Sequence, residues 1–261
     1  LMLEGVVPHV ATANWDGLIE RAAEQLSGSD QAVRICVSPA QLRDPARRST
    51  LYKFHGCAIL AANDPAEYRP RLVARQSQIV RWLEDLDNAA LINQLVGLTT
   101  THPTLMMGMS AQDVNIQGIF ARAEQTMPWG WPDTQPALVF STESLGADHR
   151  TLLKNVYRTA FNSANRDAIL ASAHIRAYAK PLLVALVLAV LCLKYQRLVE
   201  LAPGNLADSD LTRLKAGVSE LRNMIGDTVE PDALRFVHNL IRQNSRAFGI
   251  FLDGALRPDT D

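Results

Sequence analysis

The chain has 261 residues, 48% of them apolar and 20% charged, an ordinary globular balance with room for one large domain or two modest ones. Its 26 Lys and Arg against 27 Asp and Glu leave a net charge of -1, which excludes the cationic excess that unspecific nucleic-acid binding draws on. Cys36, Cys57 and Cys192 form no CxxC and the six histidines no HxxxH or HxxH, so no disulfide framework or metal site is signalled, and a reducing cytoplasm is the expected setting.

Leu1-Met2-Leu3-Glu4 lacks the basic start of a signal peptide, and strand-like sequence follows at once, as if an N-terminal part were missing. VVPHVAT, Val6 to Thr12, predicts a buried strand. DGLIERAAEQL then sets Leu18, Ile19, Ala22, Ala23 and Leu26 on one helical face. AVRICVS and TLYKFHG predict the second and third strands. A long helical stretch runs through ARQSQIVRWLEDLDNAALINQLVGL. PTLMMGMS is the fourth strand, and DVNIQGIFARAEQ a helix with Ile116, Ile119, Phe120 and Ala123 turned inward. After a loop rich in proline and tryptophan, residues 127–136, PALVFST is the fifth strand. The alternation predicts an α/β fold, a mostly parallel sheet with helices on both faces.

Beyond Ser141 no further strand pattern is found. Helical patterns cover SLGADHRTLLKNVYRTAF, residues 166–201, DSDLTRLKAGVSELRNMIG and EPDALRFVHNLIRQNSRAFGIFL, with Asp210 and Glu230 or Asp232 as helix starts. The reading is a sheet domain over 1–143 and an all-helical C-terminal domain over 144–261. Within the latter, KPLLVALVLAVLCLK has an apolar core of about 13 residues, short of the roughly 20 that span a bilayer. It predicts a wholly buried helix opened by Pro181, with a partner interface as the other reading.

In an open parallel sheet, ligands bind beyond the carboxyl ends of the strands. Strand one is followed by Thr12, Asn14 and Asp16; strand three ends on His55 and Gly56; strand four is followed by Gly108, Ser110, Asp113 and Asn115. These are the polar groups and glycines that a nucleotide site uses. Each also has a structural reading. Asn14, Asp16 and Asp113 are good helix caps, His55 a bonded core histidine, Gly108 and Ser110 turn residues. A carboxylate is repelled by phosphates, so Asp113 suits a ribose hydroxyl if it meets a cofactor.

TANWDGLIERA, LYKFHG and TLMMGMSAQDVNIQGIF, in this order, resemble the Sir2-like (sirtuin-like) NAD-hydrolysing domains of bacterial anti-phage defence proteins. Those often read T-x-N-x-D, K-x-H-G and G-x-S-x-x-D-x-x-I, and the likeness covers roughly residues 6–142. The resemblance implies a Rossmann-like NAD-binding fold. It implies His55 as catalytic base on a ribose hydroxyl or water, and Asn14 orienting the nicotinamide ribose and that water. Asp16 would lie near the nicotinamide amide, and Gly108 and Ser110 near ribose and phosphate; Thr12, Asp113 and Asn115 complete the expected cofactor contacts. The family's glycine-rich G-A-G-x-S loop is absent from these residues, which points to a missing N-terminal part or a degenerate member.

The resemblance therefore implies an NAD hydrolase releasing nicotinamide and ADP-ribose, an antiviral defence effector with NAD as substrate and no metal. The helical domain is expected to serve a homo-oligomer or a defence-system partner, with no direct nucleic-acid binding and no membrane. Two alternatives stay open: an NAD-dependent deacylase or ADP-ribosyltransferase, and an inactive nucleotide-sensing or scaffold module. Three scattered cysteines cannot build the zinc module of protein-deacylating sirtuins. The sequence argues against a serine hydrolase on Ser110, because GMSAQ lacks the second glycine of G-x-S-x-G.

Overall fold

The computed structural model describes residues 1–45, 47–109, 111–127, 130, 131, 136–201, 206–227, 235–244 and 246. The chain forms two compact units, one of residues 1–24 and 29–179, the other of residues 25–28 and 180–261.

The first unit is α/β. In chain order it holds β1 (His9–Thr12), most of α1 (Leu18–Ser27), β2 (Arg34–Cys36), β3 (Thr50–Lys53), α2 (Ala58–Asn63), α3 (Pro65–Tyr68), α4 (Gln76–Trp82), α5 (Ala89–Thr101), β4 (Thr104–Met107), α6 (Val114–Glu124), β5 (Leu138–Ser141), α7 (Ala147–Tyr157), α8 (Arg166–Ser172) and β6 (His174–Ile175). Every strand pairing among the described residues is parallel. Three strands run in the order β1-β3-β2 and three in the order β4-β5-β6. The middle strand of each set is the most deeply covered, and both read as largely apolar runs, interrupted in β3 by Lys53. Tyr52, Phe54, Leu91, Ile92, Leu138, Phe140, Leu152, Leu153 and Ile169 form the core. The inward face of α6, Ile116, Ile119, Phe120 and Ala123, is buried as its periodicity predicts.

Three details depart from the pattern. Leu18 and Ala22 are exposed, so the covered face of α1 is narrower than the spacing suggests. The long helical stretch divides into α4 and α5 around a single 3-10 turn, where the Asp85 carboxylate accepts from the Asp87 N–H and closes the break. Helices α7 and α8 stay with the sheet rather than with the C-terminal helices. The reason is β6, a two-residue strand that pairs with β5 and is too short to leave a sequence pattern.

The second unit holds α9 (Ala179–Leu201, its first residue counted with the first unit) and α10 (Asp208–Asp227), with further helical residues at 235–244. Gln196 of α9 donates to Ser219 Oγ (2.8 Å) and to the Lys215 carbonyl (3.3 Å) of α10, and Glu200 pairs with Lys215. Tyr195 donates to Asn244 Oδ1 at 2.6 Å. α9 is not wholly buried: Leu188, Leu191 and Cys192 are covered, while Leu193, Leu198 and Leu201 are exposed. Its 23 residues are long and apolar enough to cross a membrane by length and composition. The expected helix starts at Glu230 and Asp232 and most of the 127–136 loop lie outside the described residues.

Candidate active site at the carboxyl edge of the sheet

Parallel pairing brings the strand ends to one edge. Thr12 is in register with Lys53, so the chain leaves β1 and β3 side by side, and Asn14 and His55 each lie two residues past that pair. Adjacent strands stand only about 4.8 Å apart, so the loops that follow them are neighbours.

His55 is held by a turn that requires glycine. The Gly56 N–H returns to the Lys53 carbonyl (3.0 Å), and Gly56 has φ of +96°, a region L side chains rarely enter. A Cβ there would meet the Arg71 carbonyl oxygen at 2.8 Å and Leu72 Cα at 3.0 Å. The His55 carbonyl accepts from the Val73 N–H at 3.0 Å. The imidazole edge-packs on Phe54 and Trp82, with centroids 4.6 and 6.0 Å away, and the residue is 6% exposed.

Both ring nitrogens face polar groups. Asn115 Nδ2 lies 2.9 Å from Nε2 and Asp113 Oδ2 lies 3.8 Å from Nδ1. An amide N–H donates, so Nε2 is the acceptor and the neutral ring carries its proton on Nδ1, toward the carboxylate. Burial lowers the His55 pKa below its ordinary value of 6.5, and Asp113 acts in the opposite direction. Asn115 itself is 0% exposed, and its Oδ1 has no hydrogen-bond partner among the described residues. A buried acceptor without a donor is uncommon, and here it sits beside an unprotonated ring nitrogen.

Asp113 serves two structures at once. Its Oδ1 accepts from the Asn115 N–H at 2.8 Å and caps α6, while Oδ2 faces the imidazole. The loop before it is strained: Gly108 and buried Ala111 have φ of +65° and +62°. An alanine in this region stores about 1–2 kcal/mol, and neighbours hold it there. Gln117 donates to the Ala111 carbonyl at 2.8 Å. His149 Nδ1 accepts from the Gly146 N–H (3.0 Å), so its Nε2–H donates to the Met109 carbonyl (3.0 Å).

After β1, Thr12 Oγ1 accepts from the Asn14 N–H at 3.1 Å, and Asp16 Oδ1 accepts from the Leu18 N–H at 3.1 Å. The Trp15 carbonyl accepts from the Ala58 N–H at 2.9 Å, tying this loop to the segment just beyond His55. The Asn14 carboxamide makes no hydrogen bond among the described residues and is exposed.

Of the residues expected from the sequence, His55, Asp113 and Asn115 are in direct contact or within ionic reach. Thr12 ends β1, Asn14 and Asp16 lie in the loop that follows it, and Gly108 follows β4 in the second set of strands. Ser110 lies outside the described residues. Two contributors were not anticipated. Trp82 packs on the imidazole, and Lys53 is fully buried beneath the loop after β1. A lysine in the otherwise apolar run TLYKF was the available signal, since an unpaired ammonium is not buried.

An open pocket of about 500 Å³ borders Trp82 and Val73, but its wall sets Glu67, Asp85 and Asp87 against Arg71 and Arg81. Three carboxylates against two guanidinium groups make it a poor seat for a pyrophosphate. The family profile described as SIR2-like domain matches residues 8–166, well over half of the chain and all of the strand ends above. No curated protein and no solved structure matches the chain.

Proposed function

The chain belongs to the SIR2-like domain family, whose members are typically NAD-dependent enzymes, and we propose that it hydrolyses NAD to nicotinamide and ADP-ribose. The observation that carries this reading is the buried imidazole whose unprotonated Nε2 accepts from the Asn115 amide, with the unpartnered Asn115 Oδ1 and Asp113 beside it. In the reaction the bond between ribose C1′ and the pyridinium nitrogen breaks, and its electron pair leaves with neutral nicotinamide. Water adds to C1′ and gives up one proton. His55 Nε2 takes that proton, directly or through a ribose hydroxyl. The amide of Asn115 fits both states of the ring. Its N–H₂ donates to the neutral ring, and after a half-turn Oδ1 accepts from the protonated one. Asp113 offsets the charge that the imidazolium gains. Asn14, exposed and uncommitted, orients ribose and water from the neighbouring loop, with Thr12, Asp16, Gly108 and Ser110 as further cofactor contacts.

The test is nicotinamide release from NAD by the full-length protein. His55→Ala is expected to lower turnover by about 10²-fold or more, the usual worth of a positioned base. Unchanged turnover removes His55 from the mechanism. The 6% exposure of His55 favours a second reading, a module that binds NAD without cleaving it; calorimetric binding with no nicotinamide released would select it. A place in anti-phage defence follows from the three-motif resemblance, with the helical second unit assembling copies or engaging a partner. Loss of phage protection in cells carrying His55→Ala is the expected result.

A further inference from the structure

We infer that Lys53 is a positioning residue, whose buried ammonium clamps the loop bearing Asn14 to the strand end bearing His55. The inference rests on the proposed NAD reaction for its catalytic consequence and on geometry alone for the clamp. Lys53 is 0% exposed at the last residue of β3. Its Nζ donates to the Asp16 carbonyl (2.5 Å), the Trp15 carbonyl (3.3 Å) and Glu20 Oε1 (2.7 Å), and lies 3.2 Å from Cys57 Sγ. One cation thus binds the loop after β1, the first helix and the residue that starts the α2 turn. Both carbonyls follow directly on Asn14, so the ammonium fixes the backbone from which that carboxamide projects.

Burying an ammonium is unfavourable unless it is paired and bonded. A fold that only needed to close β3 would do so with an apolar side chain. The surrounding contacts act in the same direction. The Trp15 carbonyl also receives the Ala58 N–H, and Gly17 approaches α2 so closely that a Cβ would meet Ile59 Cγ1 at 2.9 Å. Asn14 is left exposed but mounted on a fixed frame, as a group that must meet a ribose in one geometry requires.

The test replaces the pair with apolar side chains, Lys53→Met with Glu20→Leu, an exchange that commonly leaves stability unchanged or raised. In the full-length protein the double variant is expected to retain its thermal midpoint. Its turnover number for NAD should fall about 10–100-fold, with KM within about threefold. The amides of Leu18 and Ala58, whose hydrogen bonds close the loop, should exchange at least about tenfold faster. Glu20→Gln keeps an acceptor on the ammonium, so it folds if the double variant does not, and is expected to show the same turnover loss at smaller size. Turnover that stays with stability in either variant, or exchange that does not change, overturns the clamp. Absence of NAD cleavage in the unmodified protein defeats the proposed reaction instead, and the exchange rates still decide the clamp.

Discussion

Asn115→Asp puts a carboxylate oxygen where the amide nitrogen now stands, 2.9 Å from His55 Nε2, without changing side-chain size. An opposite charge this close raises an imidazole's affinity for its proton by about ten- to a thousandfold, or about 1.4–4 kcal/mol. The upper figure agrees with Coulomb's law for charges about 4 Å apart at an effective dielectric of 20. Burying a second carboxylate beside Asp113 works against it, so the lower half of the range is expected. In the unmodified protein burial holds the His55 pKa below 6.5. The unfolded chain then takes up the proton first on acidification. Stability from this group is present above about pH 6.5 and is lost as pH falls through 6.5 toward the folded value. In the variant the folded pKa rises above the unfolded one. The contribution is then present below about 6.5 and is lost as pH rises through the raised value. The pH slope contributed by His55 therefore changes sign. Urea midpoints at pH 5.5 and 7.5 measure the slope, and the proton-NMR titration of the His55 ring reports the pKa. Nicotinamide release at pH 7 is expected to fall and to recover toward pH 9. A His55 resonance that titrates no higher in the variant than in the unmodified protein would refute the contact on which the site is built.

Asp113→Asn keeps an oxygen for the cap but removes the charge facing Nδ1, so the His55 pKa should fall further; Asp113→Ala should also lose the cap, about 1 kcal/mol more by urea unfolding. Gly56→Ala forces an L side chain to φ of +96° and into the Arg71 carbonyl, and is expected to destabilise by about 2 kcal/mol or more, with loss of activity because His55 is the preceding residue. Leu138→Ala in the middle strand of the second set removes a side chain that is 0% exposed and should cost about 2–5 kcal/mol without changing the pH dependence. Equal pH profiles in Asp113→Asn and the unmodified protein, or a Gly56→Ala midpoint that does not move, would contradict these assignments.

The middle strands were the most legible elements because burial on both faces favours an apolar run, whereas β1, read as a buried strand, is only half covered. ICV, LY and LVF could be read without any partner. α6 was legible because one inner face meets the core over three turns, and its spacing records that. Legibility fails where a single tertiary contact decides. β6 exists because His174 and Ile175 meet the edge of β5, and two residues carry no period. α9 has apolar residues all round, so its pattern does not say which side is covered.

The site divides along the same line. His55 was readable because a histidine and glycine end a strand, and Asp113 because a carboxylate precedes a helix. What those signals do not contain is the pairing. Asn115 stands 60 positions from His55 and reaches it because the first turn of α6 enters at the angle set by the Asp113 cap and the strained Gly108 and Ala111 backbone. Asp113 is the helix cap that the sequence allows, and its second oxygen also faces the ring: one oxygen fixes the helix that delivers Asn115, and the other lies 3.8 Å from the imidazole that Asn115 contacts. The same double use explains Lys53, which looks like a misplaced charge in a strand until the two carbonyls after Asn14 are laid over it. On the proposed reaction, the residues that stabilise the strand ends are also those that would aim the reactive groups. Substitutions there are therefore expected to affect folding and turnover together unless, as with Lys53→Met and Glu20→Leu, the stabilising part is restored separately.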